Sequence, residues 1–179
     1  DLTITNATFS SDYGGVFNFD GSGDYVSIGQ PLSNGASYTL NAWINASDVN
    51  SARNIISSTM SPFWINSGNL YGGIANTYTA VTGTSFPTNQ WVYVTLTFDD
   101  ATNTMTLYQD GTLVDQATNI TDTYTSENMY IGCHYTASPV SFFLGMIGEV
   151  SIYDGAISDS QVLQNYNDTK TRYTPTPTP

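Results

Sequence analysis

Two glutamates, one histidine and one cysteine are the side chains best suited to acid, base or nucleophile work, and their spacing argues against a catalytic set. A retaining glycan hydrolase on a β-scaffold needs two carboxylates on one strand face, about 5 Å apart. Glu127 falls in a loop. Glu149 has Ile147 and Ser151 as its same-face neighbours, so it reads as a structural acceptor at a sheet edge. Cys133 and His134 are adjacent, and adjacent strand residues point to opposite faces, which denies them a dyad. His134 shares its face with Gly132 and Tyr130, either as a polar surface residue or as a hydrogen-bonding partner for a ligand. A uronate lyase would need cations or amides against the sugar carboxylate. Arg53 is the sole basic residue before Lys170.

Binding chemistry is better supplied. Flat aromatic rings set beside Asn, Asp or His suit the apolar faces and hydroxyl edges of sugar rings. In the segment 61–82, SPFWINSGNLYGGIANTYTAVT, the rings Phe63, Trp64, Tyr71 and Tyr78 alternate with Gly and Asn, and Gly72 and Gly73 are expected to leave open surface beside Tyr71. With His134, Tyr135 and the loop 136–141, the rings Trp64, Tyr71 and Tyr78 form the candidate ligand-binding set; the competing reading is that they fill the core. Asp20 and Asp24, around the turn Gly21-Ser22-Gly23, could converge with backbone carbonyls on a calcium ion. The alternative is an ordinary solvated turn.

Short strands must position these residues. Between 16 and 153, β-branched and aromatic residues alternate with polar ones in short runs broken by Gly, Asn, Asp and Pro. Over 38–44, Tyr38, Leu40, Ala42 and Ile44 share one face, with Thr39, Asn41 and Trp43 on the other; over 91–98, Val92, Val94, Leu96 and Phe98 oppose Trp91, Tyr93, Thr95 and Thr97. Asp110-Gly111 between 105–109 and 112–116 predicts a type I′ hairpin, because both residues tolerate positive φ. Further strands are expected at 16–19, 24–28, 54–58, 62–66, 69–75, 77–82, 129–134 and 142–153, a density of turns that argues for a sandwich. One short helix is expected at 158–166, opened by a Ser158/Gln161 capping box and packed against the sandwich edge.

Composition narrows the partners. Asp and Glu number 15 against 3 Lys and Arg, for a formal charge of −12, so nucleic acid and anionic membrane surfaces are disfavoured. A run of apolar residues long enough to span a bilayer is absent from the sequence, which predicts no membrane insertion. A lone cysteine allows no intrachain disulfide. The 179 residues are read as one domain over 1–172, followed by a Thr-Pro segment at 173–179 of polyproline type that would link to a further module of the same polypeptide.

Four segments in order carry a family resemblance: FDGSGDYVSI at 19–28, YTLNAWI at 38–44, WVYVTLTFDDATNTMTLYQDGTLV at 91–114, and MYIGCHY leading to FFLGMIGEVSIYDGAISDSQVLQNY at 129–166. Together they resemble the laminin-G-like, concanavalin A-like jelly-roll domains. The resemblance implies an all-β fold, a two-sheet antiparallel jelly-roll β-sandwich with one short C-terminal helix, whose members bind glycans, peptides or proteins and include some glycanases and lyases. Related jelly rolls often hold a structural calcium between the first turn and an Asp in the last long strand, a position read here as Gly148. The function expected is a non-catalytic, monomeric binding module of an extracellular, cell-surface or virion protein, recognising carbohydrate or cell-surface glycan. The alternatives are a structural or adhesive spacer without a sugar pocket and, more remotely, a glycanase.

Overall fold

The computed structural model describes residues 2–75 and 77–174. Its largest element is a seven-stranded antiparallel sheet. Across that sheet lie, in order, Thr112–Ala117, Thr104–Gln109, Trp91–Asp99, Tyr38–Ala46, Leu144–Tyr153, Val16–Asp20 and Thr8–Ser10. The second layer consists of two four-stranded sheets. One runs Thr3–Thr5, Tyr25–Gly29, Met129–Ile131, Ile56–Ser57; the other runs Thr77–Gly83, Asn69–Ile74, Phe63–Asn66, Arg53–Asn54. The strand expected at 54–58 is found as Arg53–Asn54 and Ile56–Ser57, which serve one sheet each, the chain changing partner at Ile55, whose N–H donates to the Phe63 carbonyl at 2.9 Å. The expected sandwich is therefore present, its second layer continuous through this segment.

The main core lies between the layers. Leu40, Ala42 and Ile44 from one central strand and Val94, Leu96 and Phe98 from the next meet Phe63, Ile65, Leu70, Val81 and Met129 from the opposing layer. The residues of 38–44 and 91–98 among them are those that the period-two pattern places on one face. Gly72 and Gly73 are buried, and they correct the expectation of open surface beside Tyr71. A Cβ on Gly72 would run into Leu96, and one on Gly73 into the Thr77 carbonyl, so both let the strand lie close over its neighbours. The Asp110-Gly111 turn is as expected, with φ of 50° and 75°. Cys133 is a fully buried filler, its thiol pushed up to about 12 by desolvation.

The second face of the central strands departs from expectation. Trp43 and Tyr93 are buried as well, because the helix Asp159–Tyr173 lies over them, and Thr95 and Thr97 on the same strand face are also buried. The capping box forms as read: Gln161 Oε1 accepts from the Ser158 N–H at 2.9 Å, and Ser158 Oγ accepts from the Gln161 N–H. The helix is nonetheless fifteen residues long and lies across the sheet, rather than ending at 166 on an edge. Past Tyr166 it carries little apolar pattern, yet Thr169 accepts a hydrogen bond from Trp43 Nε1 at 2.8 Å and Tyr173 stacks on the same indole at 4.7 Å. Tyr173, assigned from sequence to the Thr-Pro segment, is 2% exposed and closes the domain; residues 175–179 of that segment lie outside the described residues.

Gly148 makes this closure possible. A Cβ there would sit 2.6 Å from Tyr173 Oη. Glu149 follows at a bulge against the Tyr38–Ala46 strand and accepts from Arg172 Nη1 at 2.6 Å. It is thus an acceptor that pins the helix to the sheet.

Candidate functional site

The aromatic set expected at 61–82 is built by sheet register. Asn54 pairs with Trp64, Trp64 with Tyr71, and Tyr71 with Thr82, so these four stand in one row across neighbouring strands and share a face. Within the row, Trp64 and Tyr71 stack with centroids 4.8 Å apart and planes inclined by 27°. Trp64 Nε1 donates to the Tyr78 carbonyl at 3.3 Å, which draws the start of the next strand over the indole. Tyr78 is 43% exposed and meets His134 edge-on at 6.1 Å.

Trp64, Tyr78 and His134 line a cleft of about 140 Å³, together with Ala52, Asn54, Pro62 and Ser141. Tyr71 backs Trp64 without lining it. Asn54 was not foreseen as a site residue, its one signal being its place in a short strand ahead of the aromatic segment; Ser141 is the last residue of the loop 136–141 expected beside His134. Ser57 Oγ donates to Asn54 Oδ1 at 2.6 Å, fixing the amide, while the Asn54 N–H donates to the Ser141 carbonyl at 3.0 Å. Burial holds the His134 imidazole below its ordinary value of 6.5, with Glu127 opposing the shift, and His134 Nδ1 is buried without a hydrogen-bond partner among the described residues. The ring is therefore held neutral, and a ligand would meet its cleft-facing edge and not the buried Nδ1.

Tyr135 is separated from this set. His134 and Tyr135 pair with Val140 and Pro139 in a two-stranded hairpin, where neighbours point to opposite sides. Tyr135 therefore enters a second cleft, of about 530 Å³, lined by Gln30, Thr59, Glu127, Asn128, Tyr130, Tyr135 and Thr136.

The charged groups are engaged elsewhere. Arg53 Nη1 donates to the Phe142 carbonyl at 2.7 Å, while its Nη2 lies 2.7 Å from Asp48 Oδ2; that bond, with the Asn50 N–H, holds the Asp48 carboxyl down to about 2. Glu127, read as a loop residue, accepts from Thr59 Oγ1 at 2.7 and 2.6 Å and from the Met60 N–H.

At the first turn, Asp24 is buried and its Oδ2 accepts the Asp20 N–H at 2.8 Å, while Asp20 Oδ1 accepts the Ser22 N–H at 2.7 Å. Leu144, and not Gly148, stands opposite Asp20 on the last long strand, which corrects the alignment expected there. A Cβ on Gly21 would lie 3.2 Å from Arg53 Nη1, so a guanidinium borders the turn. Among the described residues no three His, Cys, Asp or Glu side chains converge. Two carboxylates committed to backbone amides beside an arginine are a poor fit to the six or more oxygen ligands calcium takes.

The family model of the concanavalin A-like lectin/glucanases superfamily matches residues 20–163, and the chain belongs to that superfamily. Solved structures agree on the fold. The binding domain of botulinum neurotoxin serotype D superposes with a TM-score of 0.76 at 18% identity over 94% of this chain and 46% of that one. The binding domain of Paraclostridial Mosquitocidal Protein 1 gives 0.76 at 13% over 94% and 47%. Domain 4 of AbnA, a GH43 extracellular arabinanase from Geobacillus stearothermophilus solved in complex with arabinotriose, gives 0.72 at 20% over 91% and 86%. The chain thus spans about half the length of the toxin domains it resembles and most of the arabinanase domain. No curated protein matches it in sequence. Among the described residues no helix is long and apolar enough to cross a membrane.

Proposed function

We propose that this chain is a non-catalytic carbohydrate-binding module of an extracellular or cell-surface protein, taking an uncharged sugar ring in the cleft of Trp64, Tyr78 and His134. The observation that carries the reading is that cleft itself: an indole stacked on Tyr71 from behind, a half-exposed tyrosine, a histidine held neutral by burial and a fixed asparagine. Aromatic faces pack against sugar C–H groups, and the polar atoms at the rim answer the hydroxyls. No Lys or Arg lines the cleft, and the net charge of −12 opposes acidic glycans. The arabinanase domain, solved with a neutral oligosaccharide, supports the class of ligand.

The test is a titration of the chain with a panel of neutral and acidic oligosaccharides. Binding of a neutral member, weakened at least about tenfold by Trp64→Ala, supports the module. A blank panel with no hydrolysis favours the spacer reading, and turnover of any member overturns the non-catalytic one. A chelator tests the calcium expectation, since binding that survives it needs no cation.

A further inference from the structure

The cleft on the far side of the 134–140 hairpin is the larger of the two, and its chemistry differs. Tyr130 and Tyr135 stack face to face at 4.7 Å with 14° between planes, and Tyr25 meets both edge-on at 6.0 and 6.4 Å. Amides and hydroxyls of Gln30, Asn128 and Thr136 surround them. Glu127 lines the same space, and its Oε2 accepts only from Thr59, which leaves lone pairs for a further donor. No Lys or Arg lines the cleft. Arg53 is tied to Asp48, Arg172 to Glu149, and Lys170 Nζ to Asn167 Oδ1 at 2.7 Å. A carboxylate beside aromatic faces, with no competing cation, attracts an ammonium group through charge and through the ring quadrupole together.

We infer that this second cleft binds a saccharide residue carrying a free amine, with the ring on the Tyr130/Tyr135 face, its hydroxyls on the amides and its ammonium at Glu127. The site is independent of the Trp64 cleft, because residues on opposite sides of one hairpin build the two. An acetylated amine fits poorly, since it brings no charge to the carboxylate. The surrounding amides and hydroxyls favour a polyhydroxylated ring over a lysine side chain.

The test is calorimetric titration of the whole chain at mildly acidic pH with a glucosamine trimer and with its fully N-acetylated counterpart. The free-amine trimer should bind at least about tenfold more tightly, and its affinity should fall as salt is raised. Glu127→Gln keeps an amide oxygen for Thr59 and Met60, and it should weaken binding about tenfold while thermal unfolding shows the fold retained. Tyr135→Ala should weaken it similarly, and Trp64→Ala should leave it unchanged. Asp168→Asn removes one exposed carboxylate remote from the cleft and should have no effect. Equal binding of the two trimers overturns the inference, as does equal loss in the Asp168 and Glu127 variants. A lysine tripeptide binding as tightly as the free-amine trimer would reassign the cleft to a basic peptide. Loss in the Trp64 variant alone would place the ligand in the other cleft, whose neutral-sugar reading stands or falls separately.

Discussion

Two Trp–Tyr stacks in this domain are nearly the same object. Trp43 and Tyr173 lie 4.7 Å apart with 17° between planes; Trp64 and Tyr71 lie 4.8 Å apart with 27°. Their surroundings make one a rivet and leave the other at an open cleft, the proposed platform. Trp43 is fully buried, its indole N–H is answered by Thr169, and Tyr93, Tyr166 and Tyr173 enclose it. Trp64 keeps part of its surface in a cleft, beside a histidine whose nitrogen has no partner. Ring geometry alone therefore does not mark a binding site. What distinguishes the two is whether a helix has already taken the place a ligand would occupy.

Substitution at the two tryptophans gives the widest separation. Trp43→Ala should cost about 3–5 kcal/mol of stability, read by denaturant unfolding, because it opens a cavity beneath the helix. Trp64→Ala should cost only about 1–1.5 kcal/mol while carrying the loss of sugar affinity. Comparable destabilisation by both would break the distinction. Gly148→Ala should cost about 1–3 kcal/mol, since its Cβ would press Tyr173 off the sheet without altering the Trp64 cleft. Ser158→Ala removes the cap and should cost about 1 kcal/mol, with fraying visible as faster hydrogen exchange over the helix.

The smallest effect concerns pH and belongs to the cleft. Burial lowers the folded-state pKa of His134 below 6.5, so the unfolded chain binds this proton more tightly than the folded one. Its stabilising contribution is complete above 6.5 and is lost as pH falls below that value. Unfolding midpoints measured across this range should drop more steeply for the natural chain than for His134→Gln. Parallel curves would show that the imidazole is as well solvated folded as unfolded.

The fold was far more legible in the sequence than the site. Alternation over 38–44 and 91–98 identifies the inner face, and Asp110-Gly111 identifies its hairpin, because strand periodicity and turn chemistry are local properties. The outer cover was partly hidden: Ser158 and Gln161 announce where the helix starts, but nothing apolar after Tyr166 announces how far it runs. Its length is set by tertiary partners, Trp43 for Thr169 and Tyr173, and Gly148 for the space they need. Among the site residues, Trp64, Tyr71, Tyr78 and His134 do come together, whereas Tyr135 turns away. Strand alternation separates Tyr135 from His134, the same rule that separates Cys133 from His134. Ser141 comes from the loop 136–141 already expected beside His134, whereas Asn54 reaches the cleft by pairing with Trp64, a strand register that no local spacing rule shows. Asp20 and Asp24 have the composition of a metal turn, and one oxygen of each accepts a backbone amide of that turn.

The helix has a consequence for the order in which the chain can be completed. Arg172 donates through Nε and Nη2 to the Tyr13 carbonyl, a bond spanning 159 residues, and Tyr13 packs on both Trp91 and Tyr173. During synthesis from the N-terminus, Trp43 and Tyr93 have no cover until residues 159–173 have been made. With strand 38–46 also waiting for 144–153, most pairings that define the large sheet are long-range, the pattern of slow folders. A nascent chain therefore carries a bare aromatic face from the synthesis of Trp43 and Tyr93 until that of residues 159–173.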